Sequence, residues 1–172
     1  DTSRREPQRR PRSLEAMRLA EREAHLLYTF TGGRLLRYHA TASPDFVARH
    51  FPDGVTAEAI RNAPTLTFNQ KDRLQSGWIR QTFGQDLDHP THWLPSTQSF
   101  VEAALSGMGW GMNPTQLTRE HFASGRLVEL VPGTPLDIPL YWQINRLAAD
   151  RLAELTREVV TVAKRRLYCD QT

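Results

Sequence analysis

A run of small polar side chains, Ser96, Thr97 and Gln98, stands where an apolar segment gives way to a helical pattern. The first N–H groups of a helix have no intrahelical acceptor, and hydroxyl groups beside them add hydrogen bonds to an anion. We therefore expect this corner to bind a carboxylate, such as that of an amino acid. The alternative is structural, because Ser96 or Thr97 also suits the N-cap that any helix needs.

A second polar corner follows the preceding predicted strand and consists of Asn69, Gln70, Lys71 and Asp72. Ligands of open α/β sheets bind outside the carboxyl ends of the strands, so the two corners are expected to line one crevice. Asp72 would then pair with a cationic group of the ligand. The alternative is that Asp72 caps its own helix.

The glycine-rich segment 107–111 (GMGWG) has the composition of a phosphate-binding loop but not its context. It precedes a short strand instead of joining a strand to a helix, and no Gly-Lys-Ser or Gly-Lys-Thr follows. Gly109 and Gly111 are expected to allow close backbone packing, or to leave room for a ligand beside Trp110. Trp110 is therefore a weaker candidate for the binding site than the two polar corners.

The residues that usually carry catalysis or hold metals are scattered. The six histidines form no recognisable set of nucleophile, base and orienting acid. Pro90 prevents a regular helix between His89 and His92, and the single cysteine, Cys169, excludes a multi-cysteine metal site and an intramolecular disulfide. The sequence predicts no metal, no cofactor and no enzymatic activity.

The composition limits the class of protein. The 172 residues are 39% hydrophobic and 24% charged with a net charge of +3, typical of a soluble domain or two small lobes. No apolar run approaches the roughly 20 residues of a membrane-spanning helix, and no secretory signal is evident, so we expect a cytoplasmic protein without a membrane partner. The basic excess lies near the start, where phosphate binding and a poorly ordered terminus are both open.

The elements that position the candidate residues alternate between short apolar runs and helical segments, the pattern of βα units around a sheet with parallel strands. A turn is predicted at residues 31–33 (TGG). The predicted strands are Leu36–Ala42, Thr65–Asn69, Thr91–Leu94, Met108–Met112, Leu127–Val131 and Ile138–Ile144. The predicted helices are Leu14–Leu27, Pro44–His50, Thr56 to about Ala63, about Asp72 to Gly84, Ser96 to Gly107, Pro114–Ala123 and about Ala148–Leu167.

Three long runs carry a resemblance to a known family. They are TASPDFVARHFPDGVTAEAIRNAPTLTFNQKDRLQ, HWLPSTQSFVEAALSGMGWGMNP and SGRLVELVPGTPLDIPLYWQINR, which together cover most of the chain after Arg37. They resemble the effector-binding region of LysR-type transcriptional regulators, and within that family the lysine- and arginine-responsive ArgP/LysG subfamily. The opening TSRREP is similar to the first strand that crosses between the two lobes of these proteins.

The resemblance implies an α/β fold of the periplasmic-binding-protein type, with two Rossmann-like lobes and a small molecule in the cleft. Residues 1–37 are then an atypical arginine-rich lead-in and helix, and 38–133 a nearly complete second lobe. Residues 134–172 are the returning strand and last helix of a first lobe that is otherwise mostly missing. Met17–Arg37 departs from the family pattern, as an insertion, a frame shift or a truncated gene would produce.

The resemblance also implies a transcriptional regulator that senses a small basic amino acid, lysine or arginine. DNA would be bound only through a winged helix-turn-helix missing from this chain. Thr2 and Ser3 on the crossover strand would line the cleft together with Ser96, Thr97 and Gln98, while Asn69, Asp72 and Trp110 complete the expected effector site. A solute-binding protein, an α/β enzyme, a non-functional truncated regulator and direct DNA binding by the arginine-rich lead-in remain alternatives.

The last strand and helix present apolar faces whose usual cover in the family is missing. At about 25 cal/mol per Å² of apolar surface, a few hundred Å² left in water costs several kcal/mol, comparable to the stability of a domain. Residues 14–30 would cover part of this surface, or the chain would associate with itself. We therefore expect a homo-oligomer whose assembly depends on concentration.

Overall fold

The computed structural model describes residues 28–169, and all side chains of that range except those of residues 28–33, 146 and 169. The predicted helix Leu14–Leu27 and the candidates Thr2 and Ser3 lie outside the described residues. The strands are β1 (Tyr28–Ala42), β2 (Thr65–Thr67), β3 (Thr91–Trp93), β4 (Gly111–Pro114), β5 (Val128–Glu129), β6 (Leu136–Asn145) and β7 (Tyr168–Cys169). The helices are α1 (Pro44–His50), α2 (Ala57–Asn62), α3 (Leu74–Phe83), α4 (Thr97–Leu105), α5 (Thr115–Ala123), a 3-10 turn (Arg146–Ala148) and α6 (Ala153–Arg166).

The described residues divide into two compact units. The larger unit contains residues 33–140 and 164–169, and the smaller unit contains 28–32 and 141–163. The two core clusters of buried side chains both lie in the larger unit. The first is built around Phe46, Ile60, Trp78 and Trp110, and the second around Leu66, Phe100, Val101, Ala104 and Leu127.

The α/β character is as predicted, but the strand directions are mixed. β2 and β3 are parallel, and Trp110 continues this arrangement through a parallel bridge to Thr65. The expectation of parallel strands is wrong for β1, which pairs antiparallel with β4, β5 and β7. The rule that makes consecutive strands parallel applies to strands joined by one helical crossover, whereas two further strands and four helices separate β1 from β4 in the chain.

Capping residues in the sequence correctly predicted where α1 and α2 begin and where α3 ends. The Ser43 hydroxyl accepts a hydrogen bond from the Phe46 N–H at 3.3 Å, so α1 begins at Pro44 as predicted. The Thr56 hydroxyl does the same for the Ala59 N–H at 3.2 Å. Gly84 ends α3 with a φ of 70°, the left-handed conformation expected from a glycine at that position.

Most strand boundaries and several helix ends differ from prediction by one to three residues, and three larger differences concern β1, β4 and α6. The turn predicted at residues 31–33 is wrong, because β1 continues through them: the strand-favouring residues on both sides outweigh two glycines. β4 begins at Gly111 instead of Met108, after the left-handed Gly107. α6 begins at Ala153 instead of about Ala148, since the Asn145 side chain accepts a hydrogen bond from the Leu147 N–H at 2.8 Å and leads into a 3-10 turn.

The smaller unit is tied together by few polar contacts among its described residues. The Trp142 indole N–H donates to the Thr156 hydroxyl at 3.2 Å and joins β6 to α6. Helix α6 has no buried residue, and its side chains Leu155 and Val162 are at least half exposed. Tyr141 on β6 is also more than half exposed. Among residues 28–169, no helix combines the length and apolar character needed to cross a membrane.

Candidate functional site

A cavity of about 360 Å³ opens in the larger unit at the ends of β2 and β4, a volume within the range of small-molecule sites. Its wall combines apolar side chains with a few polar and charged ones, as ligand-binding cavities usually do. The residues that line it are Tyr38, Phe68, Asn69, Lys71, Asp72, Leu74, Thr97, Phe100, Met112, Asn113 and Pro114.

The two polar corners expected from the sequence meet at this cavity. Asn69 and Asp72, after β2, and Thr97, at the start of α4, all line it. The parallel pairing of β2 with β3 explains why they come together, because the loops that follow parallel strands leave the sheet at the same edge. Asn69, Asp72 and Thr97 are therefore candidate ligand contacts on geometric grounds.

Asp72 has a structural role in addition to its place in the wall. Its Oδ2 accepts a hydrogen bond from the Phe68 N–H at 3.1 Å, and its Oδ1 accepts one from the Leu74 N–H at 3.0 Å. The carboxylate thus fixes the loop that enters α3. A carboxylate offers about four acceptor positions, so Asp72 retains capacity for a cationic ligand group.

The α4 corner divides into a capping residue and a cavity residue. The Ser96 Oγ accepts a hydrogen bond from the Ser99 N–H at 3.3 Å, which makes Ser96 the N-cap. Ser96 and Gln98 are exposed but stand outside the cavity wall, while Thr97 is part of it. Because Ser99 is capped, the N–H groups of Thr97 and Gln98 remain as the first-turn donors without intrahelical acceptors.

Trp110 is fully buried in the core and does not line the cavity. Its ring packs against Trp78, with centroids 5.2 Å apart, and against His89 at 6.2 Å. The glycine beside Trp110 lets the backbone at this point pack closely against the backbone at Pro64, since a Cβ on Gly109 would lie 2.9 Å from the Pro64 carbonyl oxygen. The structure thus gives Trp110 the packing role that was the alternative to ligand binding.

Lys71, in the corner predicted after β2, lines the cavity, whereas the polar wall residues Tyr38 and Asn113 were not predicted from the sequence. Asn113 is 1% exposed, and its Nδ2 donates to the Thr41 hydroxyl at 2.9 Å. A signal for it exists in the sequence, because Asn113 is the one polar residue in the otherwise apolar run 108–114 (MGWGMNP). Buried polar side chains in such runs point to a hydrogen-bond partner or a ligand.

Within the cavity, the charge of Asp72 affects the pKa of Tyr38. Burial, and secondarily the negative charge of Asp72, raise the pKa of the Tyr38 phenol above its ordinary value. Lys71 adds a positive charge on the exposed side of the wall. Within the described part of the chain, no group of three or more His, Cys, Asp or Glu side chains is placed to hold a metal ion.

Residues 35–167 match the model of the LysR substrate binding domain, and the chain belongs to this family. The periplasmic-binding-protein-like α/β fold implied by the resemblance is confirmed. Among individual proteins, the chain is similar to the HTH-type transcriptional regulator ArgP of Pseudomonas aeruginosa, with 40% identity over 128 residues. These residues are 74% of this chain and 42% of that regulator, so the chain spans less than half the length of this relative.

Two solved structures are also similar. The C-terminal domains of a LysR family protein from Agrobacterium tumefaciens share 56% identity with a TM-score of 0.81, over 91% of this chain and 82% of that chain. Full-length LysG from Corynebacterium glutamicum, solved with bound effector Arg, shares 30% identity with a TM-score of 0.68, over 79% and 46% of the two chains. The predicted relation to the ArgP and LysG regulators is confirmed.

Proposed function

We propose that the chain is the effector-sensing part of a LysR-family transcriptional regulator, and that its cavity binds a small basic amino acid, lysine or arginine. The observation that carries this proposal is the composition of one cavity wall. Asp72 offers an acceptor for a cationic group, while Lys71 and the start of α4 at Thr97 offer donors for a carboxylate. An amino acid carries both groups.

The relatives support an amino acid as the ligand. LysG from Corynebacterium glutamicum binds arginine as its effector, and this chain shares its fold at 30% identity. The cavity volume of about 360 Å³ suits a molecule of this size. The apolar lining residues Phe68, Phe100 and Met112 would contact the methylene stem of a lysine or arginine side chain.

The remaining expectations concern the complete regulator. We infer that DNA is bound through a part of the regulator outside this chain, since the P. aeruginosa relative is more than twice as long as the matched segment. A cytoplasmic location and the absence of enzymatic activity follow from the same proposal. Thr2 and Ser3 stay predicted effector contacts. The boundaries of the lead-in and of the two lobes also stay predictions.

The exposed apolar side chains of β6 and α6 support the prediction of self-association. Tyr141 and Leu140 on β6, and Leu155 and Val162 on α6, are all exposed. Apolar surface of this kind is stabilised by contact with a second copy. Light scattering over a range of concentrations tests this: a mass that rises with concentration is expected, and a single monomeric mass throughout would contradict it.

Isothermal titration of the folded 172-residue chain with L-lysine, L-arginine and L-glutamate tests the ligand. Heat of binding is expected with lysine and arginine, because Asp72 attracts the α-ammonium group and its negative charge also favours a cationic side chain over an anionic one in the same cavity. Glutamate carries the same α-amino and α-carboxylate groups with an anionic side chain, so it is the matched control and is expected to bind more weakly. If neither basic amino acid binds to protein whose thermal unfolding is cooperative, the ligand proposal is wrong.

A further inference from the structure

Asn113 is a polar side chain at the closed end of the cavity. It is 1% exposed, and its neighbours in the wall, Met112 and Phe100, are also buried. Asn69, Lys71 and Thr97, by contrast, are exposed and form the rim. The burial of these residues therefore gives the cavity an exposed rim, which carries the Lys71 ammonium group, and a buried end, which carries the Asn113 carboxamide.

The hydrogen bonds of Thr41 fix the orientation of that carboxamide. The fully buried Thr41 hydroxyl donates its one hydrogen to the Gly111 carbonyl oxygen at 3.4 Å. Thr41 Oγ1 therefore acts as the acceptor towards Asn113, and the Asn113 Nδ2 donates to it at 2.9 Å. With the nitrogen held on that side, the carbonyl Oδ1 of Asn113 faces away from Thr41 as a hydrogen-bond acceptor.

A buried acceptor discriminates between ligands by what it requires of them. An N–H group that reaches Oδ1 gains a hydrogen bond, whereas a methyl group leaves the oxygen desolvated without a partner, which costs free energy. A ligand group that is itself an acceptor, such as a carboxylate, is also disfavoured, because its oxygen and Oδ1 repel each other. Asn113 thus favours ligands that carry a nitrogen donor at the end opposite their rim-binding groups.

We propose that Asn113 Oδ1 accepts a hydrogen bond from the distal nitrogen of the effector, with Thr41 as the residue that positions it. The α-carboxylate then lies at the rim near Thr97 and Lys71, the α-ammonium near Asp72, and the methylene stem along Phe100 and Met112. This assignment rests on the proposed function, because it takes a basic amino acid as the ligand. It adds the direction in which that ligand enters and the contact that selects its distal group.

The experiment compares L-lysine with L-norleucine, which has the same stem but lacks the distal nitrogen. Kd values for both are measured by titration calorimetry with the unmodified chain and with Asn113→Ala and Thr41→Val. The unmodified chain is expected to prefer lysine, and both variants to lose roughly 10- to 100-fold of that preference, the effect of one hydrogen bond to a charged group. General damage to the fold would weaken both ligands alike and leave the ratio unchanged.

Two further variants separate positioning from packing. Thr41→Ser keeps the hydroxyl and is expected to keep the preference for lysine. Thr65→Val is the matched control for Thr41→Val, because Thr65 is equally buried but its hydroxyl has no hydrogen-bond partner and it does not line the cavity. A preference for lysine that survives in either Thr41→Val or Asn113→Ala overturns this inference while leaving the proposed function intact. Failure of the unmodified chain to bind lysine or arginine overturns the proposed function itself.

Discussion

Tyr38 and Asp72 face the same cavity from different elements, one from β1 and the other from the loop before α3, and their electrostatics are coupled. Burial makes the larger contribution to the raised pKa of the Tyr38 phenol, and the negative charge of Asp72 adds to it. Tyr38 therefore keeps its proton at physiological pH. A protonated phenol beside a carboxylate gives the wall both a donor and an anionic acceptor.

Asp72→Asn is expected to lower the pKa of Tyr38 part of the way back to its ordinary value, because the burial effect remains. The same variant is expected to bind lysine and arginine roughly 10-fold more weakly, since it removes a charge-assisted hydrogen bond. Ultraviolet titration, corrected with Tyr38→Phe, measures the first effect, and calorimetry measures the second.

Asp86→Asn is the matched control for that variant. Asp86 is an exposed aspartate that pairs with Arg80 at 2.6 Å and does not line the cavity. It should change neither the pKa of Tyr38 nor the affinity for ligands. Equal effects of the two substitutions would show that general surface charge, and not the position of Asp72, governs the cavity.

The pair Arg37–Asp137 should make stability depend on pH. Arg37 donates to both carboxylate oxygens of Asp137, at 2.8 and 2.7 Å, and its guanidinium lies 4.2 Å from the Tyr168 ring centroid. The hydrogen bond from Arg37 lowers the pKa of Asp137. A carboxyl group whose pKa is lower in the folded state stabilises the fold above its unfolded pKa and loses that effect as the pH falls through the folded value.

We therefore expect Asp137→Asn to lower the free energy of unfolding by about 1 kcal/mol at pH 7, with the difference from the unmodified chain shrinking below about pH 4. Urea unfolding between pH 3 and 7 measures it. Asp86→Asn removes a pair whose side chains are 66% and 68% exposed and should have little effect at any pH. A difference for Asp137→Asn that stays constant down to pH 3 would refute the role assigned to the ion pair.

Local signals in the sequence predicted the elements of the larger unit because each of them acts within a few residues. Ser43 followed by Pro44, Thr56 before an apolar pattern, and Gly84 after one each determine a helix end through contacts with neighbouring backbone. The polar corners Asn69–Asp72 and Thr97 could also be brought together, because parallel strands place their following loops at one edge.

The rest of the cavity could not be predicted in this way, because it depends on pairing between distant segments. Asn113 reaches the wall through the antiparallel register that sets it opposite His39 and Tyr38 opposite Pro114. No local pattern specifies this register.

Trp110 could not be assigned from the sequence either, because a tryptophan between glycines is compatible with a ligand site and with a packed core. The contact between its ring and Trp78 shows that it belongs to the core.

Thr65→Val is expected to stabilise the protein. Thr65 is fully buried, and its hydroxyl oxygen has no hydrogen-bond partner. Valine has nearly the same shape without the unsatisfied group, so the free energy of unfolding should rise by about 1 kcal/mol. Chemical denaturation measures the change, and a loss of stability would show that the hydroxyl has a partner such as a buried water.

A comparison of two glycines tests how tightly the cavity wall is packed. A Cβ on Gly111 would lie 2.5 Å from Phe100 Cε1, so Gly111→Ala must displace a ring that lines the cavity. This overpacking is expected to lower the free energy of unfolding by about 1–3 kcal/mol and to weaken lysine binding.

Gly77 lies inside α3, where a Cβ would meet only Leu136 Cδ2 at an ordinary 3.6 Å. Gly77→Ala should raise stability by about 0.5–1 kcal/mol, because alanine favours the helix. Opposite signs in urea unfolding are the expected result, and a stabilising Gly111→Ala would mean that Phe100 moves freely and does not form a fixed wall.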